Sequence, residues 1–63
     1  MIRDLLQKLM GENKIITLLT KSGDTWEDVM IKKMFDEYIT VADDEDNVIG
    51  YVFIDCIESI TIT

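Results

Sequence analysis

The sequence predicts an all-β domain in which a short N-terminal helix precedes a strongly bent five-stranded antiparallel sheet, the arrangement of a small barrel. Three observations carry this expectation. Ten isoleucines, four valines and six threonines make twenty β-branched residues in a chain of 63, and such side chains suit a pleated surface better than a helix. Turn-forming residues break the β-branched stretches at Ser22-Gly23-Asp24, at Asp36-Glu37 and at Asp43-Asp44-Glu45-Asp46-Asn47,. Helical periodicity is confined to the start of the chain, and no linker, repeat or low-complexity tract divides residues 1–63 into more than one domain,.

Ile2, Leu5, Leu6 and Leu9 recur at i, i+3, i+4 and i+7, which predicts a helix over residues 2–10 with Asp4 in its first turn and Lys8 in its last,. Gly11 is expected to end it. A helix of about ten residues does not persist alone in water, so its apolar stripe is expected to dock on the sheet. Residues 14–21 read as the first strand and, after a hairpin turn in which Gly23 can take positive φ, residues 25–33 as a long second one,. Val29 and Ile31 fall on one side of that strand and Trp26, Met30 and Met34 on the other, as expected where a strand bends between layers. Residues 38–42, 48–56 and 59–63 read as strands three to five, the fourth long and, like the second, expected to be bent, with Ile57-Glu58 as a brief turn and with Ile60 and Ile62 facing inward,.

The chain weighs 7.3 kDa and carries thirteen acids against six bases, a net charge of −7. A domain this small buries about 60% of its unfolded surface and commonly needs a staple. One cysteine cannot form an internal disulfide and a chain without histidine assembles no common zinc set, so oligomerisation is the remaining device,. At 48% hydrophobic residues and a mean hydropathy of +0.12 the chain is too apolar for disorder,. Its apolar runs, residues 15–20 and 48–54, fall far short of the ~20 residues of a membrane span,. The N-terminus does not read as a signal peptide, and a lone thiol suits a reducing compartment, so a cytoplasmic protein is expected. With no histidine, no glycine-rich phosphate loop and no nucleophile beside a base, the chain is expected to be no enzyme and to use no cofactor or metal,. The acidic stretch at residues 43–46 lacks the spacing of a calcium loop and reads as a solvated hairpin tip. Cys56 is expected to be buried and inert, and Trp26 to anchor the core or a subunit interface.

Two blocks point further. Phe35-Asp36-Glu37-Tyr38-Ile39-Thr40-Val41 is similar to the aromatic-Asp-x-aromatic-apolar-x-apolar signature that opens strand three of the Sm-like family, which includes the Hfq-type RNA chaperones. Val52-Phe53-Ile54-Asp55-Cys56-Ile57-Glu58-Ser59-Ile60 resembles that family's second signature, where strand four turns tightly into strand five. The resemblance covers the helix and about residues 14–62, and implies a small Sm-like or SH3-like barrel.

The same resemblance implies a homo-oligomeric ring of five to seven subunits, with strand four of one chain pairing with strand five of the next through Val52, Phe53, Ile54, Ile60, Thr61 and Ile62. It also implies RNA around the pore, with Tyr38 and Thr40 meeting bases, and the chain's local cluster of bases, Lys32 and Lys33, is expected to meet phosphate,. Where the family usually carries arginine or lysine this chain has Asp55, and six copies would carry about 42 negative charges, a field that repels phosphate,. Two functions are therefore expected as alternatives: an RNA-binding scaffold or chaperone of divergent type, or a protein-interaction or assembly module that keeps the ring without nucleic acid. Tyr38 has a plainer reading as a half-buried strand residue, and Asp36 as an acceptor within its turn.

Overall fold

The computed structural model describes residues 2–63. Helix α1 spans Ile2–Gly11 and is followed by strands β1 (Ile16–Thr20), β2 (Thr25–Met34), β3 (Tyr38–Ala42) and β4 (Val48–Phe53), a 3-10 turn at Ile54–Cys56, and β5 (Ile57–Ile62). All strand pairs are antiparallel and the sheet runs β4-β3-β2-β1-β5. The helix and the five-stranded sheet match the expected order of elements. Closure into a barrel does not follow, because β4 and β5 form the two edges and do not pair with each other.

The sheet is nevertheless strongly curled, and the chain itself requires it. Five flat strands about 4.8 Å apart would hold the edges roughly 19 Å from each other, whereas the four steps from Phe53 to Ile57 reach about 14 Å at most,. Single extra residues supply the bending. Ile16 faces Val29 but Leu18 faces Trp26, leaving one residue too many in β2, and there Asp28 takes φ 54°. Similar shifts occur between Ile31 and Lys33 in β2, around Ile49 in β4 and around Glu58 in β5. Bulges of this kind bend a strand and increase its twist. The first half of β2 therefore pairs with β1 and the second half with β3.

Leu6 and Leu9 of α1 enter the core together with Ile16, Leu18, Val29, Ile31, Ile39, Val41, Val52, Ile54 and Ile57, with Trp26, Met10, Met34 and Ile60 packed around them. The helix docks as its stripe requires and ends at Gly11, but Gly11 is not the residue that takes the left-handed closing position. Asn13 takes the left-handed position (φ 53°), its N–H reaching the Met10 carbonyl and that of Lys14 the Leu9 carbonyl. That double bond is the Schellman closure, which accepts asparagine as well as glycine. Gly23, at φ 94°, does take the expected role in the first hairpin. There the Thr20 hydroxyl accepts the Asp24 N–H at 3.1 Å and meets the Ser22 hydroxyl at 2.9 Å, so the one buried polar side chain among the described residues is satisfied.

The structure corrects further expectations, among them the turn at Ile57-Glu58, which instead opens β5. The first strand begins at Ile16, after the Asn13 closure. The fourth ends at Phe53, because Ile54–Cys56 turns as a 3-10 helix, and residues three apart in such a turn share a face. Ile54 and Ile57 are thereby buried while Cys56, expected inside, is exposed. Ile62, expected to face inward, is 52% exposed: the extra residue at Glu58 brings Ile57 onto the core face beside Ile60, and Ile62 lies at the strand's end. No helix among the described residues is long and apolar enough to cross a membrane.

Candidate functional site

The turn from β2 to β3 is a tight one. The Phe35 N–H donates to the Tyr38 carbonyl at 2.8 Å, so only Asp36 and Glu37 lie between the two aromatic residues. Their rings stack, with centroids 4.7 Å apart and planes 23° from parallel. Arg3 fixes this turn to the helix: its guanidinium donates to the carbonyls of Asp36 at 2.7 Å and Phe35 at 3.3 Å. Arg3→Ala is expected to lower stability by about 1 kcal/mol, the worth of a charge-assisted bond at an exposed site, measured by urea unfolding; an unchanged midpoint would show that the contact adds nothing.

Tyr38 pairs across the sheet with Phe53, and Thr40 with Tyr51. Alternation puts Tyr51 and Phe53 on the outer face of β4 while Val52 between them points into the core,. Tyr38 meets Tyr51 at 5.8 Å and Phe53 at 6.1 Å, both edge-on, and Tyr51 and Phe53 meet at 6.0 Å. Phe35, Tyr38, Tyr51 and Phe53 thus form one aromatic surface, with Phe35 42%, Phe53 50% and Tyr51 63% exposed. The chain's fifth aromatic residue, Trp26, lies over the Gly50 backbone and lines a small pocket together with Tyr51 and Phe53.

Below this surface a groove of about 500 Å³ is lined by Ile2, Arg3, Asp4, Asp36, Glu37, Ile54 and Asp55. Four carboxylates and one guanidinium therefore share it, and Arg3 is bonded to backbone carbonyls. The acidic loop at the other end of β3 is a closed turn. Asp43 Oδ1 accepts the N–H groups of Glu45 and Asn47 at 3.0 and 2.9 Å, and Asp46 forms an ion pair with Lys32 at 2.5 Å. No group of three potential ligands for a metal occurs among the described residues.

The expected RNA contacts separate. Tyr38 belongs to the aromatic surface. Thr40 Oγ1 accepts the Lys33 N–H at 3.0 Å, stitching the bulge in β2. Lys32 is neutralised by Asp46, while the Lys33 side chain is exposed. Among the expected interface residues, Val52 and Ile54 are buried within this chain, Ile60 is partly so, and Phe53, Thr61 and Ile62 are exposed. Tyr51 was not expected at a site, although the Tyr-Val-Phe alternation signals two rings on one face. Comparison with protein-family models, with characterised proteins and with solved structures finds no match to this chain.

Proposed function

We propose that this chain is a non-enzymatic Sm-like module that assembles into a ring of identical subunits and works through protein contacts. The observation that carries the proposal is the state of the two sheet edges. Edge strands in proteins that stay apart are blunted by lysine, proline, inward charges or bulges, and of these devices β4 and β5 each carry one bulge, at Ile49 and at Glu58. Here β4, of sequence VIGYVF, has no charged residue, β5 has only Glu58, and the chain has no proline. Val48, Ile49 and Ile62 expose about half their surface along these edges. Both strands are six residues long, so one edge can take the other's full length.

Pairing of β4 with β5 of a neighbour is heterologous and leaves a free edge at each end of a dimer, so a ring is the closed form. It would also complete the curled sheet as a barrel shared between subunits. A ring of five to seven copies of the 7.3 kDa chain would weigh about 37–51 kDa,.

Two edge-blocked variants test the pairing. Ile49→Lys places a charge on β4, Ile62→Lys on β5, and each alone is expected to stop assembly while leaving the circular dichroism spectrum unchanged. Mixed together, they still offer one intact β5 and one intact β4, so a heterodimer of twice 7.3 kDa, about 15 kDa, is expected by light scattering,. A mixture of monomers, or unimpaired assembly by either variant, would contradict the edge pairing.

The stacked rings of Phe35 and Tyr38 favour a second reading, an RNA-binding scaffold that uses them as a base-stacking platform,. The four carboxylates beside them and the Lys32–Asp46 pair oppose it, since phosphate binding rests on free cations. A low-salt gel shift with oligo-U that is lost on Tyr38→Ala would support the RNA reading over the protein one.

A further inference from the structure

We infer that the aromatic surface of Phe35, Tyr38, Tyr51 and Phe53 is a docking site for an arginine-rich protein segment. The inference is distinct from ring assembly although Tyr51 and Phe53 stand on the mating strand β4, because edge pairing uses backbone groups in the plane of the sheet while these rings stand on its outer face. Each ring presents a negative π-face, which attracts a cation, and a planar guanidinium can stack there while keeping its hydrogen bonds in the ring plane. Four neighbouring rings with up to 63% of a side chain open to solvent offer several such faces.

Charge complementarity selects the occupant. Asp36 and Glu37 lie between the stacked rings in sequence, Asp55 follows two residues after Phe53, and these three line the groove shared with Asp4. The guanidinium that lines this groove, Arg3, is bonded to the Phe35 and Asp36 carbonyls. Lys32 is paired with Asp46. A segment whose guanidinium groups cover the rings can therefore place others against carboxylates that form no ion pair among the described residues, and the net charge of −7 favours its approach,. Nucleic acid would meet the same carboxylates with the wrong sign.

The test is fluorescence anisotropy on the full chain, using a labelled octapeptide of alternating arginine and glycine, the same peptide with lysine for arginine, and oligo-U. The arginine peptide is expected to bind more tightly than the lysine peptide, and oligo-U not at all. Phe35→Leu and Tyr51→Leu keep apolar area and net charge but remove the π-face, and each is expected to weaken the arginine peptide by about 2- to 30-fold. Light scattering on the same samples reports assembly, so failure of the ring and failure of this site are read independently. Equal affinity for the two peptides with no loss in the leucine variants would reduce the effect to general acidity and overturn the inference. Absent binding of the arginine peptide, or tighter binding of oligo-U, would overturn it too.

Discussion

Leu18→Ala is expected to remove a large share of the protein's stability. Leu18 is fully buried in the middle of β1, facing Trp26 of β2 on one side and Ile60 of β5 on the other, so three strands share its side chain. Removing a buried leucine to alanine costs about 2–5 kcal/mol, the lost transfer energy plus the cavity left behind. A chain of 63 residues holds about 3–9 kcal/mol in total, at 0.05–0.15 kcal/mol per residue,. The substitution therefore removes a large share of the stability, and a fall in melting temperature of more than about 8 °C is expected. Leu19→Ala, one residue along and on the half-buried opposite face, is the matched control and should cost distinctly less. Similar losses at both positions would mean that β1 does not present its faces as described.

The second large effect is expected at Gly50. A Cβ there would lie 2.8 Å from Trp26 Cζ3 and nearer still to Cη2, so the indole of β2 occupies the space in front of the β4 backbone. Because β3 lies between those strands in the sheet, this contact exists only while the sheet is curled. Gly50→Ala must push the ring outward, and overpacking of this kind costs about 1–3 kcal/mol. The indole, already partly exposed, should move further into water, so its emission should shift to the red. In a Trp26→Ala background the same substitution meets no ring, and its cost should fall to within a few tenths of a kcal/mol. A cost independent of Trp26, measured as a double-mutant cycle, would show that the glycine serves the backbone alone.

Much of the fold was legible before any coordinates. The β-branched stretches and the turn chemistry of Gly23, Asp36 and the Asp43 loop mark the strands and hairpins, and Ile2, Leu5, Leu6 and Leu9 mark the helix. The bend of β2 is signalled by Trp26, Met30 and Met34 falling opposite Val29 and Ile31, but the single residues that make the sheet curl are not. A bulge is one added residue, and nothing in the composition around Asp28, Ile49 or Glu58 distinguishes it from an ordinary strand. Ile54-Asp55-Cys56 alternates apolar and polar in a way that suits a strand, whereas the burial of Ile54 and Ile57 follows the three-residue spacing of a 3-10 turn, and this decides the exposure of Cys56.

The surface divides similarly. Tyr38 and Phe53 drew attention in the sequence, but their union with Phe35 and Tyr51 depends on the register that sets Tyr38 opposite Phe53 and Thr40 opposite Tyr51. The Lys32–Asp46 pair likewise joins a strand to a loop fourteen residues away. Local pattern identifies the residue types, while long-range register decides which cations remain free to meet a ligand.

Assembly is the central claim, and the mass of the wild-type protein in solution tests it most directly. Multi-angle light scattering at tens of micromolar is expected to give a single species of five to seven chains, about 37–51 kDa from a 7.3 kDa subunit,. A stable 7.3 kDa monomer at that concentration would contradict the proposal that β4 and β5 are mating edges.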